Sequence, residues 1–498
     1  MKMVAALTVI ALLGVAACAD SGEESIRASA AARFAGKLKP CAWPGYEGDV
    51  FCGTLDVPED RETTDGRTIG LHVVVLSATG EAAPAADALT FLAGGGVTPA
   101  TRYVPFFTSA VRRLRDGRDI VLVDQRGTGG SNALDCDLPE PHEVEGGQDA
   151  GEAYQTAYLD ALRACRTEVE AWADPRLYTT ANAADDLDAV RAWLGYDQLS
   201  VWGASYGTKV ARVYMRRHPE RVRAAVLHGV VPIERSMWPD LFLAADSALT
   251  ELMALCEADE ACAAAYPDLE SRFVALIRRL DSEPVLLRAP LADSPSDTVT
   301  IAFDRRSLAG LVAGMLRSSR AARALPALID QLSRDDYKQI ASMQRPGAMP
   351  SIPRGVYLSI ACTEELPRLT EEDLERAHRP TRLGSGEWFD EERRECEIWG
   401  SGSVPDEFWS PVESDVPVLL LTGSEDYITP LAYAEEVAGH LPNASVRVVP
   451  QRGHDDIDPC VAGLIENFLI QGRDTDPGLG CPEDTGPLPF EVPGGDSP

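Results

Sequence analysis

The chain has 498 residues, an apolar share of 45%, and a formal net charge of −32 from 46 basic and 78 acidic residues. A chain this long can bury a large core and suggests two or three domains, or one domain with a big insertion. So acidic a composition argues against nucleic acid and anionic lipid surfaces as partners, because both need clustered lysine and arginine.

Lys2 and the apolar run from Met3 to Ala17 (MVAALTVIALLGVAA) open the chain. The run is short for a spanning helix and reads as a signal segment. It ends in Val15-Ala16-Ala17-Cys18, which resembles a bacterial lipobox, so 1–18 is expected as a lipoprotein signal with Cys18 lipidated. The expected location is outside the cytoplasm, anchored by lipid on the periplasmic or cell-surface side of a membrane. Residues 19–33 read as a small, polar tether. Short apolar runs then suit buried parallel strands: 68–76, 88–92, 119–123, 199–202 and 224–227. Between them 182–194 (NAADDLDAVRAWL) has helical spacing, with Asn182 as the expected cap. From 232 to 410 the chain reads mainly helical, after which strand runs return at 416–421 and 446–449. The expected fold is therefore α/β with a mostly parallel sheet. Residues 34–231 and 411–482 form one core, 232–410 a helical cap, and 483–498 a disordered, Pro- and Gly-rich tail.

Of eleven cysteines, ten remain once Cys18 is set aside. An even set in an exported chain reads as disulfides. Neighbouring couples give the expected pairing Cys41–Cys52, Cys136–Cys165, Cys256–Cys262, Cys362–Cys396 and Cys460–Cys481. No CxxC or HExxH spacing is present, so no metal and no cofactor are expected.

The run Leu199 to Trp202 stops at Gly203-Ala204-Ser205-Tyr206-Gly207, a G-x-S-x-G turn between a strand and a helix. This setting projects a serine hydroxyl from the sheet edge. A hydroxyl becomes a useful nucleophile once a base takes its proton, and histidine has a suitable pKa. Of seven histidines only His440 and His454 follow the strand at 416–421. His440 ends a helical stretch, whereas His454 lies in a loop (QRGH), so His454 is the expected base. The acid that orients it is expected in Thr422-Gly423-Ser424-Glu425-Asp426, with Asp426 preferred to its rival Glu425 for its shorter reach. For the oxyanion, the N–H of Tyr206 is one expected donor. Gly95 or Gly96, in the Gly94-Gly95-Gly96-Val97 loop after the strand at 88–92, is the other.

Several stretches together resemble the proline iminopeptidase and tripeptidyl aminopeptidase branch of the α/β-hydrolases. Asp124 to Ser131 (DQRGTGGS) is close to the family's DQRGxGxS, and 203–207 matches its G-x-S-[WY]-G elbow. Residues 41–58, with CGTLDVP, and the end around Gly453-His454 resemble the tripeptidyl-type members. The resemblance implies an α/β-hydrolase fold and a serine aminopeptidase taking peptides with a free N-terminus under its cap; a monomer is expected. Ile360 to Glu365 (IACTEE) resembles a cap stretch of these members, so Glu364, less surely Glu365, is expected to hold the substrate ammonium. The glycine loop departs from the family's GGPG. Val97 takes the last glycine's place and would be strained if that position needs positive φ. A serine esterase, or a peptide-binding lipoprotein with impaired catalysis, is the alternative.

Overall fold

The computed structural model describes residues 29–46, 48–63, 65–80, 84–139, 150–291, 294, 296–343, 353–384, 386–475, 481 and 488–494. The expected signal segment with Cys18, tether residues 19–28, and tail residues 483–487 and 495–498 lie outside the described residues.

Among the described residues nine strands form one sheet. They are β1 (Lys39–Pro40), β2 (Val50–Pro58), β3 (Thr68–Leu76), β4 (Asp87–Leu92), β5 (Ile120–Val123), β6 (Gln198–Ala204), β7 (Val222–His228), β10 (Val418–Gly423) and β11 (Ala444–Val449). A hairpin of β8 (Val285–Pro290) and β9 (Thr298–Phe303) stands apart. Across the sheet the order is β1-β2-β3-β5-β4-β6-β7-β10-β11. From β5 to β11 the neighbours are parallel, while β1, β2 and β3 join antiparallel at one side. Alternate residues of one strand feed opposite faces. Val73, Val201, Leu227 and Leu420 enter one core; Val74, Trp202, Val226 and Leu421 enter the other. Burial on both faces is why these strands read as unbroken apolar runs.

Each run expected as a strand lies in this sheet. The sequence reading missed β2 and the β8–β9 hairpin, for one reason. Their positions mix buried, half-buried and exposed residues along the three strands, so they lack a continuous apolar signal. The helix before the elbow also starts earlier than expected. It spans Thr180–Leu194, and its cap is Thr179, whose hydroxyl accepts the N–H of Asn182. Asn182 instead turns its amide to the Leu177 carbonyl at 2.8 Å.

Helices Leu241–Ala258, Leu269–Ser282, Arg305–Leu316 and Leu325–Ser333 build a core of their own around Leu249, Phe273, Leu280, Leu325 and Leu332. The remainder of 232–410 packs differently. Helices Arg354–Ile360 and Glu387–Trp399 join Ala150–Glu170, from ahead of the elbow, around Leu162, Val356, Leu358 and Trp399. The boundary at 231 therefore does not separate two independent bodies.

Both ends hold more structure than their composition suggests. Residues 29–33 are helical, Ala30 and Phe34 are buried in the sheet's core, and Arg33 pairs with buried Asp119. In the expected disordered tail, Phe490 is buried in the cap core with the Arg323 guanidinium 5.2 Å from its ring centre. Tyr266 donates to the Glu491 carbonyl at 2.8 Å, and Glu491 N–H to the Arg323 carbonyl at 3.2 Å. One aromatic side chain with a cap pocket to fill outweighs a polar composition.

Disulfides join Cys41–Cys52, Cys136–Cys165, Cys256–Cys262, Cys362–Cys396 and Cys460–Cys481. Among the described residues no helix is long and apolar enough to cross a membrane.

Candidate active site

The site forms where β6 gives way to the helix Tyr206–Arg217. Ser205, between them, has φ 53° and ψ −123°, an uncommon region for a residue with a side chain. Both elbow glycines are required by contact. A Cβ on Gly203 would lie 2.4 Å from the Gly207 carbonyl oxygen, and one on Gly207 would lie 1.9 Å from that of Leu92. The turn thus closes tightly enough to push the Ser205 hydroxyl outward.

His454 Nε2 stands 3.0 Å from Ser205 Oγ, and His454 Nδ1 stands 2.9 Å from Asp426 Oδ2. Asp426 also accepts the N–H groups of Ile428 and Thr429 at 3.0 and 2.8 Å and the Thr429 hydroxyl at 2.5 Å. Burial opposes its charge, but His454 and Thr429 hold the carboxyl below its usual range. Its rival Glu425 turns away to Arg323 at 2.8 Å. His440 follows the helix Leu431–Ala438 and takes no part in this chain of contacts.

The glycine loop forms a turn over Gly94–Gly96. Gly94 lies against Ser205, since a Cβ there would be 3.1 Å from that of the serine. Gly95 and Gly96 take φ of 74° and 70°. Val97 has φ −129°, so no strain falls on it and the departure from the family pattern is absorbed by the two glycines before it. The opening N–H groups of this turn and of the elbow helix have no partner within their own turns. Tyr206 opens the elbow helix, and Gly95 and Gly96 follow Gly94 beside Ser205.

Glu364 and Glu365 are not presented to a substrate. Both are buried in a π-turn over Ala361–Glu365. Glu364 accepts the Thr180 N–H at 2.6 Å and hydroxyl at 2.7 Å, and Lys209 Nζ lies 3.1 Å away. Glu365 receives Lys209 Nζ at 2.5 Å. Burial alone would discharge this lysine, but Glu365 and Glu364 hold its ammonium above the usual range. The Thr180 hydroxyl also meets the Tyr206 hydroxyl at 2.7 Å, so the acids brace the elbow helix from behind. Sequence reasoning had placed them as an ammonium anchor and missed Lys209, their local charge partner.

Asp124 and Arg126 also brace. Asp124 accepts from Thr101 N–H and Gly130 N–H, both at 3.0 Å, holding the chain after the glycine loop. Arg126 grips Asp186 through two nitrogens at 2.6 and 2.8 Å. His228 went unnoticed in the sequence. It ends β7, and its carbonyl accepts the Ser205 N–H at 2.8 Å. Burial and the nearness of His454 push its imidazole down to about 4, so it is neutral at pH 7.

A profile described as the alpha/beta hydrolase fold matches residues 93–459, a span that runs from the glycine loop past His454. The chain belongs to this family. A tripeptidyl aminopeptidase of Streptomyces lividans is 26% identical over 93% of this chain and 90% of its own length. Its counterpart from Streptomyces coelicolor is 25% identical over 90% of this chain and 86% of its own. Serine protease Hip1 of Mycobacterium tuberculosis is 30% identical over 38% of each chain. This α/β-hydrolase thus carries Ser205 on a strand–turn–helix elbow, with Asp426 and then His454 following it along the sequence.

Proposed function

We propose that this hydrolase is an exported serine aminopeptidase, releasing amino acids or short peptides from free N-termini. One observation carries the reading: the unbroken line of hydrogen bonds from Asp426 through His454 to Ser205, beneath a helical cap. The two Streptomyces relatives, similar over nearly the whole chain, bear the name tripeptidyl aminopeptidase. Five disulfides favour an oxidising compartment, and export fits them. Lipidation at Cys18 belongs to the same proposal. A Cys18→Ser protein is expected to leave the membrane fraction and to lose incorporation of labelled fatty acid.

The chemistry follows from the geometry. Ser205 Oγ attacks the scissile carbonyl carbon while His454 Nε2 takes its proton. The N–H of Tyr206, with Gly95 or Gly96, receives the oxyanion, each such donor being worth about 10²–10³ in rate. Collapse of the tetrahedral intermediate breaks the C–N bond, and the departing amine takes the proton from His454. Water, deprotonated by the same imidazole, then hydrolyses the acyl-enzyme and restores the serine. Asp426 stays ionised and stabilises the imidazolium.

The second reading is a serine acyl hydrolase with no need of a free amine. It is favoured by the engagement of Glu364 and Glu365 with Lys209, which leaves neither acid open to a substrate ammonium. Chromogenic amino-acid, dipeptide and tripeptide amides, each free and N-acetylated, separate the two. An aminopeptidase cleaves the free forms at least tenfold faster, whereas equal rates favour the acyl hydrolase. A protein in which Ser205→Ala leaves turnover intact would remove both.

A further inference from the structure

The loop that carries His454 is fastened to the cap by the two residues that follow the imidazole. Asp455 meets Arg317 at 2.6 and 2.7 Å, and its N–H donates to the Arg317 carbonyl at 3.0 Å. Asp456 accepts the Ser318 hydroxyl at 2.7 Å and the Ser319 N–H at 2.8 Å, both from the cap. The same carboxylate accepts the Gly453 N–H at 2.7 Å within its own loop. Gly453 lies so close to the cap that a Cβ there would be 2.4 Å from the Arg317 carbonyl oxygen. Farther along the rim, Leu488 N–H reaches Gln451 at 3.1 Å.

The two aspartates differ in worth. The Arg317 and Asp455 side chains are 41% and 49% exposed, so their ion pair is screened by water and contributes little. Asp456 ties three donors, two of them backbone N–H groups, and hydrogen bonds to a charged acceptor are the strong kind. Those donors sit on either side of the joint between cap and core. The Gly453 N–H, just ahead of His454, is held by Asp456, and the peptide that follows His454 is held by the cap backbone.

We propose that Asp456 is a positioning residue for His454, holding the imidazole in register with Ser205 through its bonds to the cap and to Gly453. The inference rests on the proposed Ser205–His454–Asp426 chemistry, which is checked first. The full-length parent must be labelled at Ser205 by a fluorophosphonate, and Ser205→Ala must not. Failure there removes the reading of the site itself.

Asp456→Ala and Asp456→Asn are then compared with the parent, with Arg317→Ala as the control for the exposed pair. Each rate is divided by the number of sites titrated with the fluorophosphonate. Asp456→Ala is expected to lower kcat per titrated site about 10²-fold with KM within about threefold, since a misplacement of an ångström costs that much. Asp456→Asn, which keeps one acceptor oxygen, is expected to fall between, and Arg317→Ala within threefold of the parent. A merely structural role would reduce the number of sites and leave kcat per site unchanged, and that result overturns the proposal. If neither Asp456 variant accumulates folded, Ser318→Ala, lacking one of the three donors, decides by the same measurement. A severalfold lower kcat per site supports the proposal, and an unchanged value overturns it.

Discussion

Ser205 is held at φ 53° and ψ −123°, a conformation that costs of the order of 1–3 kcal/mol for a residue with a side chain. Ser205→Gly is therefore expected to gain about 1 kcal/mol in chemical denaturation while losing all turnover. Gly207→Ala should do the reverse of a stabilising change. With the Leu92 carbonyl 1.9 Å from the added carbon, the strand and helix must part, and soluble expression is expected to fall sharply. Asp426→Asn should keep the fold and lower kcat by about 10⁴, because the neutral amide favours the wrong imidazole tautomer. Glu392 gives a pH signature. Burial lifts its carboxyl to about 7 against the pull of Arg354 and from an ordinary 4.5. The folded state therefore binds this proton more tightly than the unfolded state does. The associated stability is fully present below pH 4.5 and is lost as the pH rises through about 7. Glu392→Gln is expected to exceed the parent in urea stability at pH 8 by up to about 3 kcal/mol, with the gap closing at pH 5. That Ser205, His454 and Asp426 would meet was legible because a glycine-flanked serine and a late Gly-His carry local signals. Glu364 was misread because its partners Lys209 and Thr180 are distant in sequence, and Glu392 gave no signal for the same reason.

At the scale of elements, the π-turn over Ala361–Glu365 is the cap's support for the elbow helix. Cys362–Cys396 ties it to the helix Glu387–Trp399, and the Glu364 carbonyl takes the Trp409 indole N–H at 3.1 Å. Replacing both cysteines by serine is expected to lower stability by about 2–4 kcal/mol. Replacing Cys256 and Cys262 in the same way should affect turnover less, since that bridge closes a turn within the cap's separate core. Lys209→Met leaves two buried carboxylates without their cation, at a cost of about 3–5 kcal/mol in urea unfolding. Adding Glu364→Gln and Glu365→Gln should recover most of that loss; no recovery would mean that Lys209 acts through packing alone. Parallel strands were legible because burial on both faces writes continuous apolar runs. β2 and the cap hairpin were not, because half-exposed strands share their residue content with loops.

For the whole molecule, the segment 488–494 links cap to core: Leu488 binds the His454 loop through Gln451, and Phe490 fills the cap core. Phe490→Ala is expected to weaken the cap by about 3 kcal/mol, read as faster limited proteolysis within 241–333 ahead of global unfolding. Equal proteolysis rates would show that the segment lies on the cap without holding it. By itself the sequence determined the α/β class, the glycine-flanked turn at Ser205 and the neighbouring cysteine couples, since each is written in runs or short spacings along the chain. Only the tertiary structure decided that Glu364 and Glu365 are spent on a buried lysine, that Glu425 turns to Arg323, and how cap and histidine loop are joined. Such pairings join side chains that are 28 to 184 positions apart, and a carboxylate's role depends on the charge that folding brings beside it.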